Sequence, residues 1–313
     1  MIAMIIRRFF QLVFLLLGIS FLVFSSMHIA PGDPASMIGG PTATESDLEA
    51  IRDDLGLNDP FLTQYGRYLG NVVQGDLGFS YQNRQPVTEA IAIRFPNTLK
   101  LAIASMIVAI FIGIFAGLIS ALKHNSWLDV TSTTFALGGI SIPNFWLGSI
   151  LILVFSVYLQ WLPVGGLSDP WWTIEGMKQL VLPAITLGTA EAAMIARMTR
   201  SSMLEVVRAD YVRTARAKGV KERKVIWIHT LKNAMIPVVT VIGLNFGGLL
   251  GGTIITEKVF AINGVGRLMV DSIAARDFPM VQGSVLLVAT IFVVVNLIVD
   301  IVYSYIDPRI KYQ

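Results

Sequence analysis

Apolar residues run along this chain in long blocks, not at the spacing of a half-buried surface helix or strand. A bilayer core is crossed by about 20 apolar helical residues. Six stretches reach that length, near 9–29, 96–122, 131–159, 180–198, 233–255 and 281–306. They predict an all-α polytopic membrane protein with six transmembrane helices. Pro143 falls inside the third stretch. It removes one backbone hydrogen bond, and a bend in that helix is expected there.

Residues 31–95 are polar and punctuated by "PGDP", "LGLNDP" and "GDLG". They also hold Phe61, Tyr65, Tyr68, Phe79 and Tyr81. A segment this long between spans is more than a connector. It predicts an external subdomain with short helices, one of them near 44–55. The expected organisation is therefore an N-terminal segment and first span at 1–30, the external subdomain at 31–95, and a core at 96–313. That core includes a cytoplasmic loop at about 199–232.

Composition agrees with a membrane protein. The chain has 313 residues, 54% apolar and only 14% charged, with mean hydropathy +0.66. A soluble domain carries about 25% charged residues. There is no cysteine, so disulfides and thiolate metal sites are excluded. The first apolar run is too long for a cleaved leader, although "RRFF" at 7–10 faintly resembles a twin-arginine signal.

The net charge of +3 hides a sorting of charges along the chain. With the N-terminus inside, the inner segments hold fifteen Lys or Arg against five acids, and the outer segments eight against fourteen. Basic loops stay in the cytoplasm, so both termini are expected there. A basic cluster between spans does not suit nucleic acid, and none is expected as a partner.

Three ladders of small residues predict close helix packing. Gly113 and Gly117 lie in the second span, Gly188 in the fourth, and Gly243, Gly247 and Gly251 in the fifth. They serve as plain contacts or, on the glycine-rich fifth span, as a surface on which that helix slides or rotates against its neighbours during gating. Glu191 lies mid-span, where a carboxylate is costly. It lines a polar conduit, pairs with another subunit or stays protonated. Asn144 and Asn245 are candidates for conduit lining or for hydrogen bonds between helices. Asp300, near the inner end of the sixth span, is a candidate partner for a basic residue.

No phosphate-binding G-x-x-x-x-G-K-[ST] occurs, nor a recognisable nucleophile or metal motif. An enzyme is not expected, and neither a cofactor nor a metal site is assigned to this chain. The polar feature that stands out is "DYVRTARAKGVKERKV" at 210–225, with six Lys or Arg against two acids. Asp210 suits an N-cap and Gly219 a C-terminal stop. They bracket Tyr211, Val212, Arg213, Thr214, Ala215, Arg216, Ala217 and Lys218. A membrane-surface helix needs a bulky apolar face, which this one lacks. A short capped helix with small side chains suits docking into a groove on another protein.

These residues carry a resemblance. "DYVRTARAKG" with "KNAMIPVVTVIG" at 232–243 resembles the cytoplasmic coupling loop of binding-protein-dependent ABC importers. "PGDP", "QGDLGFS", "ARMTRSSMLEV", "GVGRL", "RDFPMVQG", "NLIVD" and "DPRI" narrow it to the first permease of the dipeptide, oligopeptide and nickel family. The chain departs from the general importer pattern where Glu-Ala-Ala would align with Arg213, Thr214 and Ala215, so the glutamate's role does not carry over. The resemblance implies a type I importer permease fold in a bacterial or archaeal inner membrane. It also implies a second homologous permease, two cytoplasmic ATPases that hold the ATP and Mg, and an extracytoplasmic binding protein. Peptides are the first expectation for cargo, with nickel chelates, opines, glutathione and sugars as alternatives. An ion-driven secondary transporter and a scaffolding subunit are the competing classes.

Overall fold

A computed structural model describes residues 2–29, 33–40 and 42–306. Residues 31–32, the segment 307–310 and the side chain of Asp300 lie outside the described residues. The chain is helical along most of its described length. In order it forms α1 (Ile2–Ile29), α2 (Pro34–Gly39), α3 (Glu45–Asp54) and α4 (Phe61–Val73). A two-stranded antiparallel ribbon follows, β1 (Phe79–Ser80) with β2 (Gln85–Pro86). Then come α5 (Val87–Leu122), α6 (Trp127–Ser141), α7 (Asn144–Leu151), α8 (Ile174–Val206), α9 (Asp210–Ala217) and α10 (Glu222–Lys224). The last elements are α11 (Lys232–Val259), α12 (Val265–Ala274) and α13 (Phe278–Ile306). Two π-helical segments, Ile152–Tyr158 and Val225–Leu231, extend α7 and lead into α11.

Among the described residues, five helical stretches are long and apolar enough to cross a bilayer: Phe10–Ile29, Val87–Leu122, Ile174–Val206, Glu222–Gly251 and Phe278–Val299. The remaining expected span is not the single bent helix that its sequence suggests. Ile142 is extended at φ −84°, ψ 122°, and Pro143 continues extended at φ −61°, ψ 132°. The proline ring pushes its predecessor out of the helical region. The helix therefore stops, and Pro143 caps a new one, α7, which continues through Ile152–Tyr158.

The chain divides into two compact units. The first comprises Met1–Arg94 and Leu268–Thr290, the second Phe95–Arg267 and Ile291–Gln313. In the first, α1 meets α4 through aromatic rings. Phe24 packs against Phe61 and Tyr68 with centroids 5.3 Å apart in each pair, and Tyr65 donates a hydrogen bond to the Leu17 carbonyl at 3.1 Å. The helix expected near 44–55 is α3. Thr44 caps it reciprocally with Asp47, whose carboxylate accepts the Thr44 amide at 2.9 Å. Asp277 is buried, and it accepts hydrogen bonds from Ser80 and from Asn83.

The second unit is built around α8, which packs against α6, α7 and α11. Its core includes Leu101, Leu182, Leu187, Ile195, Val238, Leu249 and Phe260. Glycines set how closely the helices approach. A Cβ on Gly113 would stand 2.8 Å from the Ala192 carbonyl, and one on Gly117 would stand 2.5 Å from that of Ala196. A Cβ on Gly188 would meet the Ser105 carbonyl at 2.7 Å. These three seat α5 on α8. On α11, Gly243 faces Val299 at 2.5 Å and Gly247 faces Asn296 at 3.2 Å. Gly251 breaks the expected ladder, with nothing within 4 Å of its Cβ position among the described residues. The helix has turned that position away from its neighbours in this chain.

Candidate coupling element and the networks that hold it

Helix α9 sits between the ends of α8 and α11. Asp210 is not its N-cap. Ala209 holds that place in extended conformation at φ −66°, ψ 146°, without a side-chain cap bond. Asp210 is instead the first helical residue, where a carboxylate still favours the positive end of the helix. Its carboxylate lies 3.7 Å from Arg213, and its carbonyl accepts from Thr214 at 2.9 Å.

The C-terminal end forms as its residues predict. Gly219 adopts φ +76°, which L side chains rarely take. The Gly219 amide donates to Arg216 and the Val220 amide to Ala215, at 2.9 and 3.2 Å. This pairing is the two-bond stop that needs glycine. Arg216 then pairs with Glu222 at 2.7 Å and ties the helix to the turn that follows.

Val212 and Ala215 point inward, where they pack with Val225 and with Val206, Ala209 and Val220. Tyr211, Arg213, Thr214, Arg216, Ala217 and Lys218 are exposed. Of the small residues expected to let a partner approach, Ala215 is therefore taken by the chain itself. Tyr211, Thr214, Ala217 and Lys218 share the free face at helical spacing. α9 also contacts the π-helical segment Val225–Leu231, so it is braced against the base of α11.

A second network lies where α5 ends and α6 begins. Asp129 is 5% exposed. It accepts from Arg200 on α8 at 2.8 and 2.9 Å, from the Asn125 amide at 3.0 Å, and from the Ser120 hydroxyl. His124 Nδ1 lies 3.2 Å from its carboxylate. The hydrogen bonds from Arg200, then that from Ser120, hold the Asp129 carboxyl well below the usual carboxylate range. Three helix ends are thus fastened at one carboxylate.

Glu257 was not foreseen. Along the sequence it counts as one more acid of an outer segment, yet it is fully buried. It accepts from Thr98 at 2.7 Å and from the Arg267 amide at 2.9 Å, while Thr98 accepts from the Val265 amide at 2.9 Å. A side chain on Gly264 would collide with all three carboxyl atoms of Glu257. The glycines of "NGVG" at 263–266 are therefore there to wrap a carboxylate.

The three conduit candidates lie on helices that pack together, Asn144 on α7, Glu191 on α8 and Asn245 on α11. All are half-buried. No hydrogen bond joins them to one another, and Glu191 has no ion-pair partner among the described residues. The amide nitrogen of Asn245 is buried without a hydrogen-bond partner among the described residues.

Comparison with known proteins gives the family and the fold. Residues 109–312 match the family described as binding-protein-dependent transport system inner membrane component, and residues 1–102 match that family's N-terminal component. The glutathione transport system permease protein GsiC of Escherichia coli is 49% identical over 309 residues, 99% of each chain. Its namesake in Shigella dysenteriae is 48% identical over the same extent. Among solved structures, the inward-facing MetNI methionine ABC transporter superposes with TM-score 0.56 at 21% identity, covering 67% of this chain and 93% of that one. An amino acid ABC transporter with histidines gives TM-score 0.51 at 16% identity, covering 71% and 95%. ATP hydrolysis in such importers belongs to separate ATPase subunits, and the permease is a multi-pass subunit of the inner membrane. The chain belongs to the permease subunits of binding-protein-dependent ABC importers, in their dipeptide and oligopeptide branch.

Proposed function

We propose that this chain forms half of the path by which a bacterial or archaeal importer brings short peptides, glutathione among them, into the cytoplasm. The observation that carries the cargo is the match to glutathione permeases, 49% identical along 99% of both chains. The other half of the path is a second, non-identical permease. Two ATPases bind nucleotide on the cytoplasmic side, and an extracytoplasmic protein hands over the cargo. Residues 31–95 lie outside and meet that protein, while both termini and residues 199–232 lie inside.

The coupling step follows from how α9 is held. The free face at Tyr211, Thr214, Ala217 and Lys218 seats in a groove of one ATPase. Val212 and Ala215 lock the helix to its own chain, and the Arg216–Glu222 pair stiffens the exit. Closure of the ATPases then moves α9 as a rigid piece. The ends of α8 and α11 follow, and the path changes the side on which it is open. The permease supplies two states of similar energy, and the ATPases bias them. Glu191, Asn144 and Asn245 are the polar groups assigned to the path.

Uptake of labelled glutathione by cells lacking this chain, with and without a plasmid copy, tests the cargo. Restoration by the wild-type copy, inhibited by unlabelled glutathione and not by a nickel chelate, is expected. Restored nickel uptake without glutathione uptake would overturn the cargo. A cross-linker at Ala217 that captures an ATPase subunit is expected from the lever, and its failure to capture one would overturn the seating.

A further inference from the structure

The second unit carries a slot that the coupling mechanism does not use. It is formed by two cavities lying end to end against α5, α6 and α8. One holds about 800 Å³ and is lined mainly by apolar groups, with Phe111, Phe115 and Ile119 along α5. The other holds about 420 Å³, and its alanine and glycine lining also carries Arg197, Arg200, Ser132 and Thr133. Ala116, Ser132, Ala136 and Ala196 line both, so the apolar slot opens into the polar one.

The charges at the polar end do not balance. Asp129 is engaged by Arg200. Arg197 is exposed and has no partner among the described residues. One positive charge remains, and Ser132 and Thr133 share its cavity. The dimensions also select an occupant. From Ser120 to Phe111 along α5 is roughly 13 Å, close to the ~15 Å of hydrocarbon in one leaflet. The polar end lies beside the end of α5 and the start of α6, in the half of the molecule that carries the basic loop.

We propose that this slot holds one anionic phospholipid, its singly charged phosphodiester at Arg197 and an acyl chain against Phe111 and Phe115. Basic pockets between transmembrane helices on the cytoplasmic side are suited to such headgroups. A free phosphate would fill only the polar end. A zwitterionic lipid would bring a second positive charge toward two arginines. The lipid would sit between α5, α6 and the lower half of α8, beside the Asp129 clamp.

Native mass spectrometry of the purified chain, reconstituted in nanodiscs with equal phosphatidylglycerol and phosphatidylcholine and then released, tests the assignment. One phosphatidylglycerol retained per chain is expected, preferred at least fivefold over phosphatidylcholine. Arg197→Gln, a change at an exposed position, should abolish the preference. Ala116→Leu, which narrows the junction of the two cavities, should lower retention of either lipid. Lys178→Gln, on the outer side, should change neither. Equal retention of the two lipids by the wild type would overturn the proposal, as would unchanged preference in Arg197→Gln. A melting shift with inorganic phosphate as large as that with phosphatidylglycerol would assign a free-anion site instead. A second permease chain excluding lipid from the slot would likewise refute it.

Discussion

Glu257 and Gly264 offer a test in which one residue explains the identity of another. Alanine at 257 leaves the Thr98 hydroxyl and the Arg267 amide without their acceptor. Each buried orphan costs about 1–3 kcal/mol, so the loss is about 2–6 kcal/mol. Alanine at 264 drives a methyl into the carboxylate, and overpacking of this kind costs about 1–3 kcal/mol. Removing the carboxylate removes that collision. In the Glu257→Ala background, Gly264→Ala should therefore be almost free, and the pair should show a coupling of about 1–3 kcal/mol. Thermal unfolding of the four proteins in nanodiscs measures it. For a chain of 313 residues a 2 kcal/mol loss corresponds to a melting drop on the order of 3 °C. A double variant whose drop equals the sum of the single drops would refute the claim that the glycine exists to admit the carboxylate.

Other outcomes follow from the same geometry. Gly117→Leu should part α5 from α8 and lower the melting temperature, whereas Gly251→Leu should leave the melting of the isolated chain unchanged; equal effects would contradict the packing described. Ala215→Trp should destabilise the chain itself, because its methyl is buried, while Ala217→Trp should leave folding intact and stop uptake; the melting curves separate the two. The depressed Asp129 carboxyl contributes stability that is present above the ~3.9 of an unfolded aspartate and is lost as pH falls through that value toward the folded one. Asp129→Asn should therefore melt lower than wild type at neutral pH, with the gap closing in acid, and a gap that widened in acid would reverse the assignment.

Much of this architecture is legible from the chain because lipid imposes a length on whatever crosses it. The apolar runs report that length directly. Gly219 is legible for a similar reason, since one backbone conformation demands one residue type. The N-terminal end of α9 is less so. Asp210 and Ala209 differ by one position, and the choice rests on how Val212 and Ala215 reach Val225. Glu257 is illegible by any local pattern, because its hydroxyl partner lies 159 positions away in sequence. Pro143 announces a disturbance, but its neighbours decide whether a helix bends or ends.

That ending has a consequence for the bilayer. At Ile142–Pro143 the main chain is extended, and α7 begins without a side-chain cap. The Pro143 carbonyl accepts from the Trp146 and Leu147 amides at 3.0 Å, so the Asn144 and Phe145 amides are the ones without an acceptor in their own helix. Hydrocarbon supplies none, so non-helical backbone at such depth survives only beside protein or water. Asn144 opens that second half-helix, which packs against α8 and α11, so the interruption marks a point on the span that must be covered by these helices, by solvent or by a neighbouring subunit whenever the protein is in its membrane.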